Sequence, residues 1–219
     1  MLAKPPALSN GPYRAHRERQ SRRILAAAQE LFDVRGIDRV SVAEIVSAAG
    51  IRASTLYEYF SCKDEIVWAL VEEAMIQASQ TIRMSLEAVT GPAFAKITVL
   101  LQAFGDELVA HPARVRFLAQ FDAMYAREWT VEQMLALEDR LFPDRFERFG
   151  SLIREGIEDG SLRSDLDPDL TLHAIMNAVI GAQRRLASLG KRVEEEYGKP
   201  IDLLFLETVR IILLGMRAT

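Results

Sequence analysis

The sequence predicts an all-α chain in two parts: an N-terminal three-helix helix-turn-helix domain and a larger C-terminal helical domain. Three observations carry this. Apolar residues recur at three- and four-residue spacing along most of the chain. Glycines, prolines and capping pairs punctuate the periodic segments where helices start and stop. No stretch alternates apolar and polar residues as a half-buried strand would, and no repeat or low-complexity segment intervenes. With 219 residues and 49% hydrophobic content, the chain is long enough for a sizeable core.

Residues 1–16, with Pro5, Pro6, Gly11 and Pro12, read as a flexible basic arm. Arg14, Arg17, Arg19, Arg22 and Arg23 follow one another closely, either as a solvated helix start or as a basic element lying against a DNA backbone or in a minor groove. The first helix is expected over about 17–34, with Ile24, Leu25, Ala28, Leu31 and Phe32 on one face and Gly36 as its stop. Ser41-Val42-Ala43-Glu44 is a capping box, which opens a second helix that ends at Gly50. A third helix is expected over 53–60, with Leu56 and Phe60 turned to the core. Ser54, Thr55 and Glu58 then lie on its outer side, and Tyr57 and Tyr59 on its flanks. A long fourth helix is expected from Lys63 to about Val89, broken by Thr90-Gly91-Pro92.

The rest reads as helices over 92–110, 112–128, 130–160, 168–189 and 200–217, with a bend near Pro143 in the third of these. The run 159–167 reads as a loop, Pro168 as a first-turn residue, and 191–199 as a charged connection. The last helix is apolar all round, and Ala174 to Ala182 carries little charge. A terminal helix of that kind is buried on two sides, which points to a second copy of the chain packed against the last two helices.

Charge is unevenly spread. Residues 1–63 hold ten Lys+Arg against six Asp+Glu, and residues 64–219 hold seventeen against twenty-five. A basic head on an acidic body attracts phosphate locally, although the whole chain carries −4. The single cysteine, Cys62, allows no intrachain disulfide and suits a reducing compartment. The three histidines, His16, His111 and His173, show no metal-ligand spacing, and no metal or other cofactor is expected. No secretory signal or membrane-length apolar run is visible, so a soluble cytoplasmic protein is expected.

A helix-turn-helix lays its second helix in the major groove while neighbouring helix ends hold phosphates. Here Ser41 starts the helix before the turn and Lys63 starts the helix after the reading helix. Arg52 suits a guanine or a phosphate, and the Tyr57 hydroxyl suits a phosphate or a base. Ser54 and Thr55 are short enough for close approach, and the Thr55 methyl matches a thymine methyl. Plainer readings stand beside these: Ser41 as a cap alone, Tyr57 and Tyr59 as core padding. Glu58 either accepts from a cytosine amino group or only solvates the surface.

The run Ser41 to Ile51, then Ser54-Thr55-Leu56-Tyr57-Glu58-Tyr59-Phe60 and Lys63-Asp64-Glu65-Ile66, closely resembles the DNA-binding domain of the TetR family of bacterial transcription regulators. The preceding Ile24 to Gly36 fits as well, so the likeness covers about residues 18–78. Gly156 to Arg163 and Asp167-Pro168 resemble the loop before that family's dimerisation helices. The resemblance implies an all-helical homodimer on a palindromic operator of double-stranded DNA. It also implies a C-terminal domain that binds a small-molecule effector and dimerises, and release of DNA, through a shift of the fourth helix, when the effector binds. The implied domains are 17–64, with the motif at 41–60, and 65–219. The implied DNA contacts fall on Ser41, Arg52, Ala53, Ser54, Thr55, Tyr57, Glu58, Tyr59 and Lys63. The chain departs from the common pattern at Arg52-Ala53-Ser54, where Ser-Lys-Gly is usual, and at Glu58, where His or Asn is frequent.

The expected function is therefore that of a ligand-responsive regulator, a repressor rather than an enzyme, released by an apolar or aromatic effector. Candidate effector-binding residues are Phe104, Phe117, Phe121, Met124, Tyr125 and Trp129, with Met134 nearby and with His173 and Asn177 as polar anchors. Plain core packing is the competing reading for most of them. An enzyme on a helical scaffold, using Asp122, Glu128 and His173, and an interaction module without DNA binding are the alternatives. The first needs an activity without DNA binding. The basic head and the intact outer face of the third helix stand against the second.

Overall fold

The computed structural model describes residues 12–125, 128, 130–141 and 145–218. They form eleven helices: α1 (Pro12–Arg35), α2 (Val42–Ala49), α3 (Ala53–Tyr57), α4 (Lys63–Glu87), α5 (Ala93–Ala110), α6 (Pro112–Tyr125), α7 (Val131–Leu141), α8 (Arg145–Glu158), α9 (Pro168–Leu189), α10 (Arg192–Tyr197) and α11 (Ile201–Met216). Among the described residues there is no strand, only an isolated bridge between Leu162 and Arg217. The chain divides into two compact units between Leu70 and Val71, within α4.

The first unit is built around a small core. Ile24, Ala28 and Phe32 of α1, Ile37 and Val40 of the following turn, Ile45 and Ala49 of α2, Leu56, Phe60, and Ile66 and Val67 of α4 are all buried. Helix α1 begins at Pro12, so residues 12–16 belong to a helix where the sequence suggested a flexible arm; residues 1–11 lie outside the described residues. A proline suits a first helical turn, and the Arg, Ala, Glu and Gln residues that follow propagate a helix well. Helix α2 has the expected capping box. The Ser41 hydroxyl accepts from the Glu44 amide, and the Glu44 carboxylate accepts from the Ser41 amide at 2.8 Å. Gly50 closes α2 in the left-handed region at φ 59°, where a Cβ would be strained. Helix α3 is shorter than expected, five residues. The Tyr59 and Phe60 amides both return to the Leu56 carbonyl, which tightens its end into a turn.

In the second unit α5 meets α6, α8, α9 and α11. Its Ile97, Leu100, Leu101, Phe104 and Leu108 join a core completed by Val115, Ile153, Leu162, Ile175, Val179, Phe205 and Val209. Gly105 lets α5 and α11 approach: a Cβ there would lie 2.8 Å from Phe205 Cδ1. The single helix expected over 130–160 is two helices, α7 and α8, and Pro143 falls between them, outside the described residues. The charged stretch 191–199 contains α10, held by the fully buried Val193 and closed by Gly198 in the left-handed region.

Helices α9 and α11 pack on each other and are apolar on two sides. Inward go Leu172, Ile175, Val179 and Leu186 of α9 and Phe205, Val209 and Met216 of α11. Outward go Leu170, Leu203, Leu206, Ile211 and Leu214, each 46–70% exposed, together with Ala174, Ala178 and Gly181.

Candidate nucleic-acid interface

The outer side of the first unit is set by what its core takes. Leu56 and Phe60 are drawn inward, so Arg52, Ala53, Ser54, Tyr57 and Glu58 are left exposed, with Thr55 and Tyr59 half-buried beside them. Tyr57 is 56% exposed, which rules out core padding as its place. Arg52 precedes α3 with an extended backbone and makes no side-chain cap, so its guanidinium is not committed to the helix end. A short, exposed helix with small residues on its face and a cation at its start fits a major groove about 12 Å wide.

Two predicted site residues have work within the unit. The Ser41 hydroxyl accepts from the Glu44 amide and donates to the Glu44 carboxylate at 2.7 Å. That carboxylate also receives Arg35 Nη1 at 2.6 Å. Donation from the Ser41 amide, then from its hydroxyl, then from Arg35, lowers the Glu44 pKa to about 2. What α2 offers a phosphate is therefore its first-turn amides rather than the Ser41 side chain. Lys63 is half-buried, and its ammonium donates to the Ile37 carbonyl at 2.9 Å and the Val40 carbonyl at 3.1 Å. It ties the start of α4 to the turn between α1 and α2 and keeps one N–H for another acceptor. Sequence reasoning did not see this, because the carbonyls lie 26 and 23 residues away.

Sequence reasoning also left open what the arginines of α1 touch. Arg17 lies over the Tyr59 ring, its guanidinium carbon 5.3 Å from the centroid. Arg23 donates to the Gly50 carbonyl at the turn before α3, at 3.4 Å. The signal was present: Arg17 stands seven residues before Ile24, on the same stripe of α1.

The effector-binding candidates separate into two groups. Phe104 of α5 and Phe117, Phe121 and Tyr125 of α6 are all buried, and the last two stack at 5.2 Å between centroids. Polar groups sit among these helices. Gln183 of α9 donates to the Phe104 carbonyl at 2.6 Å. Buried Glu107 accepts from Arg114 at 2.7 Å through one oxygen, while its Oε2 has no partner. Asp122 pairs with Arg184, whose pKa burial lowers to about 10. Met124 stands at the margin, and Trp129 and the Met134 side chain lie outside the described residues. His173 and Asn177 do not join the aromatic group. They lie on the outward side of α9, with His173 Nδ1 2.7 Å from the Asp169 carbonyl and Asn177 donating to the His173 carbonyl at 2.9 Å. The inward stripe of α9 runs instead through Leu172, Ile175, Val179 and Gln183. Among the described residues no cluster of His, Cys, Asp and Glu could hold a metal, and no helix is long and apolar enough to cross a membrane.

A helix-turn-helix on a basic unit, joined to an all-helical second unit, defines a DNA-binding transcriptional regulator. The family model described as bacterial regulatory proteins, tetR family, matches residues 24–70. The chain is 27% identical over 186 residues to the transcriptional repressor KstR2 of Mycolicibacterium smegmatis, covering 80% of this chain and 83% of that protein. Its fold matches the ketosteroid transcriptional regulator KstR2 of Mycobacterium tuberculosis, with a TM-score of 0.66 at 23% identity over 92% of this chain and 96% of that one. It also matches the regulator FadR of Bacillus subtilis in complex with stearoyl-CoA, with a TM-score of 0.64 at 19% identity over 89% and 98%. The similarity is to bacterial regulatory proteins of the tetR family, through residues 24–70.

Proposed function

We propose that the chain represses transcription as a homodimer on a palindromic operator, and that a small apolar or aromatic effector releases it. The observation that carries the reading is the exposed face of α3, bounded by Arg52 and Tyr59, on a unit whose charge is positive. In this reading residues 17–64 read the DNA. Arg52, Ala53, Ser54, Thr55, Tyr57, Glu58 and Tyr59 face the groove. The first turn of α2, at Ser41, and the remaining N–H of Lys63 take phosphates. Glu58 and the missing lysine at Ala53 set this chain's base preference apart from the commoner pattern.

Residues 65–219 dimerise and sense. The outward apolar faces of α9 and α11 support pairing of two copies through a four-helix interface, since a monomer would leave Leu203, Leu206, Ile211 and Leu214 in water. Phe104, Phe117, Phe121 and Tyr125 supply an apolar, aromatic environment between α5 and α6. One fold neighbour is named a ketosteroid transcriptional regulator and another was solved with stearoyl-CoA; both names point to molecules with apolar bodies, which supports the same class here. Fluorescence anisotropy with fragments flanking the encoding gene tests the DNA-binding reading. A discrete complex at moderate salt on one inverted repeat supports it. Weak, sequence-independent binding alone overturns it.

A further inference from the structure

We infer that α1 is itself part of the DNA interface. Arg17 and Arg23 hold phosphates on the two sides of the groove that α3 enters, and Arg17 also positions Tyr59. The inference rests on the DNA-binding reading above and goes beyond the helix-turn-helix.

The first line of support is where α1 begins. It starts at Pro12, twelve residues before the matched family region opens at Ile24. The additional turns include Arg17, Arg19, Arg22 and Arg23 against one acid, Glu18. They lie N-terminal to the region that the family model matches.

The second is direction. Side chains seven apart in a helix fall on nearly the same face. Ile24, Ala28 and Phe32 mark the buried stripe of α1. Arg17, seven residues before Ile24, carries that stripe past the end of the core. There it meets the Tyr59 ring at 5.3 Å while remaining exposed. Arg23 lies on the flank of the stripe and reaches the Gly50 carbonyl. One guanidinium thus stands at the turn before α3 and another beside the residue two positions after α3 ends. At 3.4 Å the Gly50 bond is weak, and a guanidinium has five N–H donors, so Arg23 keeps several for a phosphate. A cation stacked on a tyrosine keeps its N–H edge open, and Arg17 lies in that arrangement.

The third is chemistry. Arginine recognises phosphate oxygens through paired N–H groups. A guanidinium at each end of the reading helix fits backbone phosphates bordering one groove. Arg19 and Arg22 point away from the buried stripe and are not assigned contacts.

The experiment uses the full chain and a 30-base-pair duplex of random sequence, with affinity measured by anisotropy between 50 and 300 mM NaCl. Removing one phosphate-binding side chain reduces the slope of log K against log salt by about 0.9 per protomer and the affinity about fivefold at 0.15 M salt. Arg17→Ala and Arg23→Ala are expected to show this, while Arg17→Lys and Arg23→Lys keep the slope. Arg17→Lys is also expected to change the ring environment of Tyr59, read by NMR, which a bare charge contact would not do. Thermal unfolding identifies any variant that fails to fold, and for such a position the lysine variant and a charge-reversing Arg→Glu pair carry the comparison. Alanine variants that match the parent in slope and affinity overturn the inference and leave the DNA-binding reading standing. A parent chain with no salt-dependent duplex binding overturns both.

Discussion

Replacing Lys63 with methionine keeps the aliphatic stem and removes the ammonium. In the folded chain that ammonium serves two carbonyls, Ile37 O at 2.9 Å and Val40 O at 3.1 Å. Hydrogen bonds to a charged partner contribute ~1.5–3 kcal/mol each when well shielded. Lys63 is only half-buried and water replaces part of the loss, so the expected cost for the pair is about 2 kcal/mol. For a unit of this size that corresponds to roughly 8–16 °C in Tm. The assay is urea unfolding of parent and Lys63→Met, with hydrogen exchange at the amides from Ile37 to Ile45 to locate the loosening. Exchange is expected to accelerate there first, because Val40 immediately precedes the cap of α2. A stability loss below about 0.5 kcal/mol, within the range of ordinary surface changes, would refute the clamp. The same variant also tests the phosphate role of the third N–H. If that N–H holds a phosphate, the salt slope of DNA binding falls by about 0.9 per protomer; if it does not, the slope is unchanged.

Three further outcomes are expected. Gly105→Ala puts a Cβ 2.8 Å from Phe205 Cδ1 and is expected to cost about 1–3 kcal/mol by urea unfolding; a neutral result would show that α11 moves aside freely. Glu107→Ala leaves Arg114, itself mostly buried, without its partner, and is expected to cost about 2–4 kcal/mol in the same assay, with a cost near zero showing that the pair contributes nothing. Glu44 has a folded pKa near 2 against an ordinary 4.5, so its contribution to stability is complete above about pH 4.5 and is lost as pH falls toward 2. The stability difference between the parent and Glu44→Gln is therefore expected to shrink as pH drops from 5 to 2.5, and a difference constant over that range contradicts the assignment.

The reading head was legible in detail because its signals are local. Ser41 and Glu44 are three apart, Gly50 marks the turn, and Leu56 and Phe60 are four apart, so capping and periodicity alone placed α2 and the inward side of α3. The start of α9 was equally plain, since Asp167 caps it and Pro168 occupies its first turn. What sequence did not disclose depends on distant partners or on ambiguous phase. Lys63 looks like any surface lysine until its carbonyls, more than twenty residues away, are in view. Helix α9 is apolar on both sides, so periodicity does not say which side is inward, and only the fold shows that His173 and Asn177 lie on the outward one. Helix α10 offers a single buried anchor, Val193, amid charged residues, too little for a periodic signal. The aromatic residues of α5 and α6 were recognisable as apolar, but only the fold shows Gln183, Glu107 and Asp122 among the polar groups beside them.

The central claim is that two copies of this chain read one operator with the face of α3. DNase footprinting of the full chain on the fragment it binds most tightly, at 0.15 M salt, tests this most directly. The account predicts two protected half-sites related by a dyad. It also predicts that Tyr57→Ala weakens both equally, and that a Leu206→Glu, Leu214→Glu variant, with its α11 face charged, loses the paired footprint while its helix content is kept. A single unsymmetrical footprint, or a paired footprint unaffected by both changes, would contradict it.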